Sequence, residues 1–377
     1  MRFNLASQAL CGAVVVTALA VPNPVEKRLQ LIDLKQFGSF PTITPEQAHA
    51  EAQPLSSVLG DGPQFTALKT TTNKAPTTAQ EITTEDAAAA GTCDRNNPAI
   101  RYEWRNYSAD DRKAYVNAIK CLMDKPSSGN FQGSKNRYED IVSVHQQLTP
   151  NIHQRAVFLP WHRYYVSVFE SLMREECGFN RAFPWWDETL DAGKFAQSDL
   201  FTDAYFGPLP AKTSDGQGTC IQSGTFGGLT LHIGPGSGFT DHCLARAVDE
   251  SLTGTVSAQF VQDCNSRTSY DDMRGCQELG PHAYGHNGVG AVMAEVQASP
   301  GDPIFFMHHL FVDHSFRIWQ NADASRTKSI NGCADTANPC TAITMDYVLT
   351  SNGLKPDTTI GQVMDTLGGY LCYRYDY

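Results

Sequence analysis

The sequence predicts a mainly α-helical domain: a four-helix bundle around two histidine triads, with long disulfide-stapled loops. Three observations predict it. Helix caps followed by apolar residues at a 3.6-residue period recur between residues 108 and 320. Six histidines fall into two groups, His145, His153 and His162, then His282, His286 and His309. Beyond Cys11, ten cysteines run from Cys93 to Cys372, an even number that fits up to five disulfides in an exported chain.

In chain order, the N-terminus reads as a secretory signal. Arg2 supplies the positive start, and Ala9 to Leu19 form an apolar stretch too short for a bilayer span. Ala18-Leu19-Ala20 offers the small residues a signal peptidase needs, so residues 1–20 are expected to be removed. Glu26-Lys27-Arg28 is a dibasic site, with trimming expected after Arg28. Residues 21–92 read as pro-region and linker; Thr, Ala, Pro and Gln dominate without a sustained period, and Thr70 to Ala90 reads as loosely attached. His49 falls in this stretch. The folded domain is expected at 93–377, in a secreted protein. Its net charge of −11 argues against nucleic acid or an anionic membrane surface as partner, and no later apolar run is long enough to cross a bilayer.

Five helices can be placed. Ser108 reads as an N-cap, with Asp110 and Asp111 in the first turn and Tyr115, Ile119 and Leu122 as the apolar stripe. A second helix over about 138–148 carries His145 near its end. A third starts at Trp161, just after Pro160, and ends near Cys177-Gly178. It is apolar on most sides, which places His162 in a core. A fourth begins near Pro281 and carries His282 and His286. A fifth covers about 304–320, where Phe305, His309, Val312 and Phe316 share a face. The Gly- and Pro-rich stretch from 190 to 245 predicts ordered loops stapled by Cys220 and Cys243, with His232 and His242 at the surface. Cys333 and Cys340 are close enough to close a small loop; the other pairings stay open. Asn106-Tyr107-Ser108 is an N-glycosylation sequon expected near the surface.

The histidine spacing carries the chemistry. His282 and His286 are four apart, which on a helix puts both rings on one side. A zinc protease with this spacing needs Glu directly after the first His, and Ala283 stands there. Di-iron bundles need Glu-x-x-His pairs, and neither triad has one. Thiolate ligation lacks a Cys-x-x-Cys pair. Imidazole-only donor sets suit copper, and two coppers about 3.5–4 Å apart, a spacing common in two-metal sites, suit two-electron chemistry with dioxygen.

Phe158-Leu159-Pro160-Trp161-His162-Arg163-Tyr164 and Asp302-Pro303-Ile304-Phe305-Phe306-Met307-His308-His309, with Asp313, resemble the two copper signatures of the type-3 copper family. That family contains tyrosinases, catechol oxidases and hemocyanins, and residues 93–377 look like its short, secreted fungal members. The resemblance assigns His145, His153 and His162 to a first copper ion and His282, His286 and His309 to a second. His308 then lies behind the ligands or in the core. Asp313, one turn beyond His309, is expected to orient a ligand ring, or else to pair with Arg317. His314 is expected to be structural.

Departures from the family pattern shape the expected activity. Many fungal tyrosinases carry Cys two residues before the second ligand, cross-linked to it; Asn151 stands here. Members that hydroxylate monophenols often have Asn after the first ligand of the second copper; here it is Ala283. Asn287, after His286, is the candidate to substitute for it or to contact substrate. Some plant catechol oxidases gate the first copper with Phe, whereas the stretch around Val296 has no aromatic residue before Phe305, which implies an open entrance. Tyr373-Arg374-Tyr375 resembles the motif that closes the family's catalytic domain. With Tyr377 as the last residue, no C-terminal shield is expected, and latency falls to the pro-region. The implied reaction is oxidation of o-diphenols to o-quinones with dioxygen, with monophenol hydroxylation weaker, on a free phenolic or a tyrosine in a peptide. The competing class is an oxygen carrier of the hemocyanin type, which shields its centre and assembles into large oligomers.

Overall fold

The computed structural model describes residues 36–53, 93–214 and 218–377. The expected signal peptide, the Arg28 cleavage site and the 70–90 linker lie outside them. Ten α-helices are described: α1 (Pro45–Ala50), α2 (Ala109–Asp124), α3 (Arg137–Ile152), α4 (Phe158–Cys177), α5 (Glu250–Thr253), α6 (Ala258–Asn265), α7 (Tyr270–Gln277), α8 (Ala283–Val289), α9 (Ile304–Asn321) and α10 (Ile360–Met364).

Local chemistry sets the ends of the long helices. Ser108 caps α2 by accepting the Asp111 amide, and Asn136 caps α3 by accepting that of Glu139. Pro160 falls in the first turn of α4, where its missing amide costs no helical hydrogen bond. Helix α4 therefore starts at Phe158, three residues before the expected Trp161. It ends at Gly178, whose left-handed backbone (φ 65°) lets the Gly178 and Phe179 amides close the last turn on Arg174 and Met173. Helices α4 and α9 pack on each other, with Phe169 stacked on Phe306 at 3.6 Å between ring centroids. Helices α2 and α3 flank α4. Between these helices lies one continuous apolar core that includes Trp161, Tyr165, Phe305 and Phe316.

The helix expected near Pro281 is longer and bent. Helix α7 runs into a wide turn at Glu278–His282 and on into α8, with non-helical backbone at Gly280 (φ −103°, ψ −113°). A Cβ at Gly280 would lie 2.6 Å from the Phe260 ring, so only glycine lets α6 approach.

A small parallel sheet closes the domain, with β1 (Ala99–Glu103) between β2 (Pro184–Trp185) and β3 (Tyr373–Tyr375). All ten cysteines after Cys11 are bonded, as Cys93–Cys372, Cys121–Cys177, Cys220–Cys243, Cys264–Cys276 and Cys333–Cys340. The first staples the sheet's outer strand to the start of the domain. The third ties the 190–245 loops, as their composition implied. Such a disulfide set fits a secretory-pathway protein. Asn106 is half-buried, and its side-chain nitrogen, the atom a glycan would take, donates to Asp376 at 3.0 Å. Among the described residues no helix is long and apolar enough to cross a membrane.

Candidate metal centre

Backbone geometry explains how ligands 8 and 9 residues apart converge. His145 lies within α3, His153 is the extended residue that ends α3, and His162 comes one turn into α4. The reversal between them passes through Gln154, held at φ 54°, whose amide donates to Glu278 at 2.5 Å. That contact links the first triad to the turn that carries the second. The wide turn presents His282, α8 presents His286, and α9 presents His309. The ligand nitrogens of His145, His153 and His162 lie within 4.8 Å of one another. Those of His282, His286, His308 and His309 do likewise.

The ring nitrogens divide cleanly. Nδ1 donates to the Gln297 carbonyl from His145 (2.8 Å), to Thr149 from His153 (3.3 Å) and to Phe158 from His162 (2.8 Å). It donates to Glu278 from His282 (2.9 Å) and to Met293 from His286 (2.7 Å). A carbonyl can only accept, so Nδ1 carries the proton and each Nε2 keeps a free lone pair. Nε2 of His145, His153, His162 and His282 is buried with no partner, and that of His286 faces only Nε2 of His309 at 3.3 Å. Unpartnered buried lone pairs are costly unless something binds them. Burial, the largest cause, pushes all six rings below the usual histidine range, His153 to about 4, so they are neutral near pH 7. Neutral imidazoles aimed inward by carbonyl partners are the donor set copper takes. The two clusters face each other, with His162 stacked on His309 at 4.4 Å and 11°.

His308 belongs to the second cluster geometrically. Its Nδ1 is held by the buried Glu188 carboxylate at 2.7 Å, and its ring packs against those of His282, His286, His309 and Phe311. Of the adjacent pair, His309 is the one whose ring stacks on the first triad. Burial pushes the Glu188 carboxyl up, against the pull of His308. Gly285 makes room for the pair, since a Cβ there would lie 2.5 Å from His308.

Several expectations change. Asp313 neither orients a ligand ring nor pairs with Arg317. Its oxygens take the Arg163 Nε proton and the Tyr373 and Tyr375 hydroxyls, each at 2.5 Å, and Arg317 pairs with Asp365. Burial alone would raise the Asp313 carboxyl, but Arg163 and Arg101 hold it below the usual range. It therefore locks α4 and α9 to the sheet. His242 is buried, its Nδ1 donating to Thr240 and its ring beside Phe37 of the N-terminal segment; His232 is half-buried against Glu139. His314 is structural as expected, stacked on Trp185 at 4.0 Å.

The entrance is not open. Residues 36–53 lie against the domain, and the Phe40 ring stacks on His286 at 4.2 Å and 26°, edge-on to His282 at 5.0 Å. Only 6% of Phe40 is exposed. Asn287 accepts the Phe40 amide at 3.0 Å and donates to its carbonyl at 2.9 Å. A Cβ on Gly38 would sit 3.8 Å from Val296, so this segment covers the region that lacks an aromatic gate. Sequence reasoning missed Phe40 and Glu188. Neither lies in a periodic segment or a motif.

The chain matches the family model of the common central domain of tyrosinase over residues 135–322. It is 31% identical over 351 residues to N-acetyl-6-hydroxytryptophan oxidase ivoB of Emericella nidulans, covering 75% of this chain and 94% of that one. It is 33% identical over 290 residues to tyrosinase ustQ of Aspergillus flavus, covering 74% and 80%. Among solved structures it is similar to that of a mutant polyphenol oxidase from Thermothelomyces thermophila, with TM-score 0.67 and 27% identity over 76% of this chain and 90% of that one.

Proposed function

This chain belongs to the tyrosinase family of dicopper oxidases, and from that premise we propose that it oxidises o-diphenols to o-quinones with dioxygen as the electron acceptor. Two diphenols give up two electrons and two protons each, and one dioxygen becomes two waters. The observation that carries the reading is the pair of facing triads, in which five of the six rings have Nδ1 tied to a carbonyl, leaving Nε2 as the lone-pair nitrogen, while the sixth, His309, is stacked on His162. Copper bound there would supply the redox chemistry.

The protein's own residues do the rest. His145, His153 and His162 would hold one ion, and His282, His286 and His309 the other. The carbonyls of Gln297, Thr149, Phe158, Glu278 and Met293 fix ring orientation and tautomer before any ion arrives. Phe158 and Phe305 pack against rings of both triads and so hold the two sets of ligands in place relative to each other. The substrate ring would take the place of Phe40 on His286, since that face is where the structure already seats an aromatic ring. Ala283 offers no polar group beside the second site, which favours diphenol oxidation over monophenol hydroxylation.

A tailoring role in secondary metabolism is the second reading. The relative named as an oxidase of N-acetyl-6-hydroxytryptophan supports it, because that substrate is a hydroxylated arene carried on an acylated amino acid. Domain 93–377 would be the catalytic unit, and residues 21–92 a pro-region. The test is turnover of 4-tert-butylcatechol beside 4-tert-butylphenol by copper-loaded protein from which the N-terminal segment has been removed by protease. Quinone from the catechol alone supports this reading, and quinone from both makes the enzyme a tyrosinase. Reversible oxygen uptake without product would make it a carrier and overturn the proposal.

A further inference from the structure

Resting on that reading, we propose that the substrate is an aromatic residue held in a peptide or N-acyl amide backbone, and that Asn287 recognises that backbone. The Phe40 segment shows the pose. Its ring lies where the reacting ring must lie, stacked on His286. Its main chain is gripped at the same residue, amide to Asn287 Oδ1 and carbonyl from Asn287 Nδ2.

A carboxamide is the one side-chain group that offers a donor and an acceptor side by side, matched to the N–H and C=O of one residue. A free catechol presents neither. The grip is local to one residue, and the chain leaves the site in both directions. Upstream, Gly38 passes over Val296 and Phe37 reaches the His242 ring. Downstream, the Ile43 amide donates to the Leu279 carbonyl at 2.9 Å, and α1 docks on α6, with Ala48 buried against Phe260 and Cys264. The site therefore admits a residue in the middle of a chain, not only a terminal one.

Phe40 itself carries no hydroxyl, so diphenol oxidation cannot act on it, and it is inert where it sits. Being part of the same chain, it competes at a high effective concentration. The segment is thus a built-in occupant of a peptide-binding site.

The test measures binding of the non-oxidisable tripeptide N-acetyl-Gly-Phe-Gly-amide by calorimetry, with 4-methylphenol as the ring without a backbone. The full chain is compared as wild type, Phe40→Ala and Phe40→Ala with Asn287→Ala. One ordinary hydrogen bond is worth roughly a three- to tenfold change in affinity, and Asn287 makes two. The peptide is expected to bind Phe40→Ala at least about tenfold more tightly than wild type. Adding Asn287→Ala is expected to lower the ratio of peptide to 4-methylphenol affinity about tenfold or more. Asn287→Asp keeps the shape and the acceptor but loses the donor, and lowers the ratio as well, which covers a failure of the alanine variant to fold. Equal weakening of both ligands, or a peptide that binds no better than 4-methylphenol, overturns the proposal. Oxidation of 4-tert-butylcatechol by copper-loaded Phe40→Ala is read separately; its absence would strike the oxidase reading instead.

Discussion

The two triads use the same side chain but are held differently. In the first, every ring is clamped by a carbonyl, and His145 and His162 are further boxed in by Trp161, Tyr165 and Phe305. In the second, His282 and His286 are clamped, but Nδ1 of His309 has no partner and its ring is held by stacking between His162 and Phe305. Behind the second cluster sits the buried Glu188–His308 pair, and in front of it sits Phe40. The contrast teaches that one half is a closed holder, while the other is where an aromatic ring arrives.

The largest effect should come from removing a ligand on either side. His162→Ala and His286→Ala are each expected to lower catechol turnover by more than about 100-fold, since loss of even an outer partner of a metal ligand costs 10–100-fold. Comparable turnover in either variant would mean that the two halves do not act together. Next, Phe40→Ala in the full chain should raise kcat/KM for 4-tert-butylcatechol about tenfold or more, because it uncovers the face of His286 while leaving every ligand in place. An unchanged value would make the segment a bystander. Glu188→Gln should cost about 1–3 kcal/mol of unfolding free energy by weakening the buried hydrogen bond to His308 behind the second cluster. Urea titration checks this, and an unaltered midpoint would show that His308 needs no such partner.

The smallest effect concerns His242, beside Phe37 at the far end of the segment. Burial holds its folded pKa below the usual 6.5. The unfolded chain then binds the proton more tightly, so this contribution to stability is present above about pH 6.5 and lost as pH falls through the folded value. His242→Gln should flatten that part of the stability–pH curve by less than about 1 kcal/mol. An identical curve for the variant would remove His242 from the account.

Much of this was legible in the sequence because it is written locally. Ser108 and Gly178 mark helix ends by backbone chemistry, and the stripe Phe305, His309, Val312 and Phe316 marks a buried face by period alone. The six histidines stood out by spacing and by the signatures around them. What was not legible depends on partners distant in sequence. Asp313 looked like a ring orienter because His309 is one turn away, yet its partners are Arg163, Tyr373 and Tyr375. The bend at Gly280 depends on Phe260, and the pairing of Cys93 with Cys372 spans 279 residues. Phe40 is 247 residues from Asn287 and lies in a stretch whose composition resembles a linker. A single aromatic residue in such a stretch carries no periodic signal.

Elemental analysis of copper in purified, reconstituted protein tests the central claim most directly. Two facing sets of free Nε2 atoms predict two copper ions per wild-type chain and one in His286→Ala. A wild-type chain that takes up one ion or none, or a His286→Ala chain that keeps two, would contradict it.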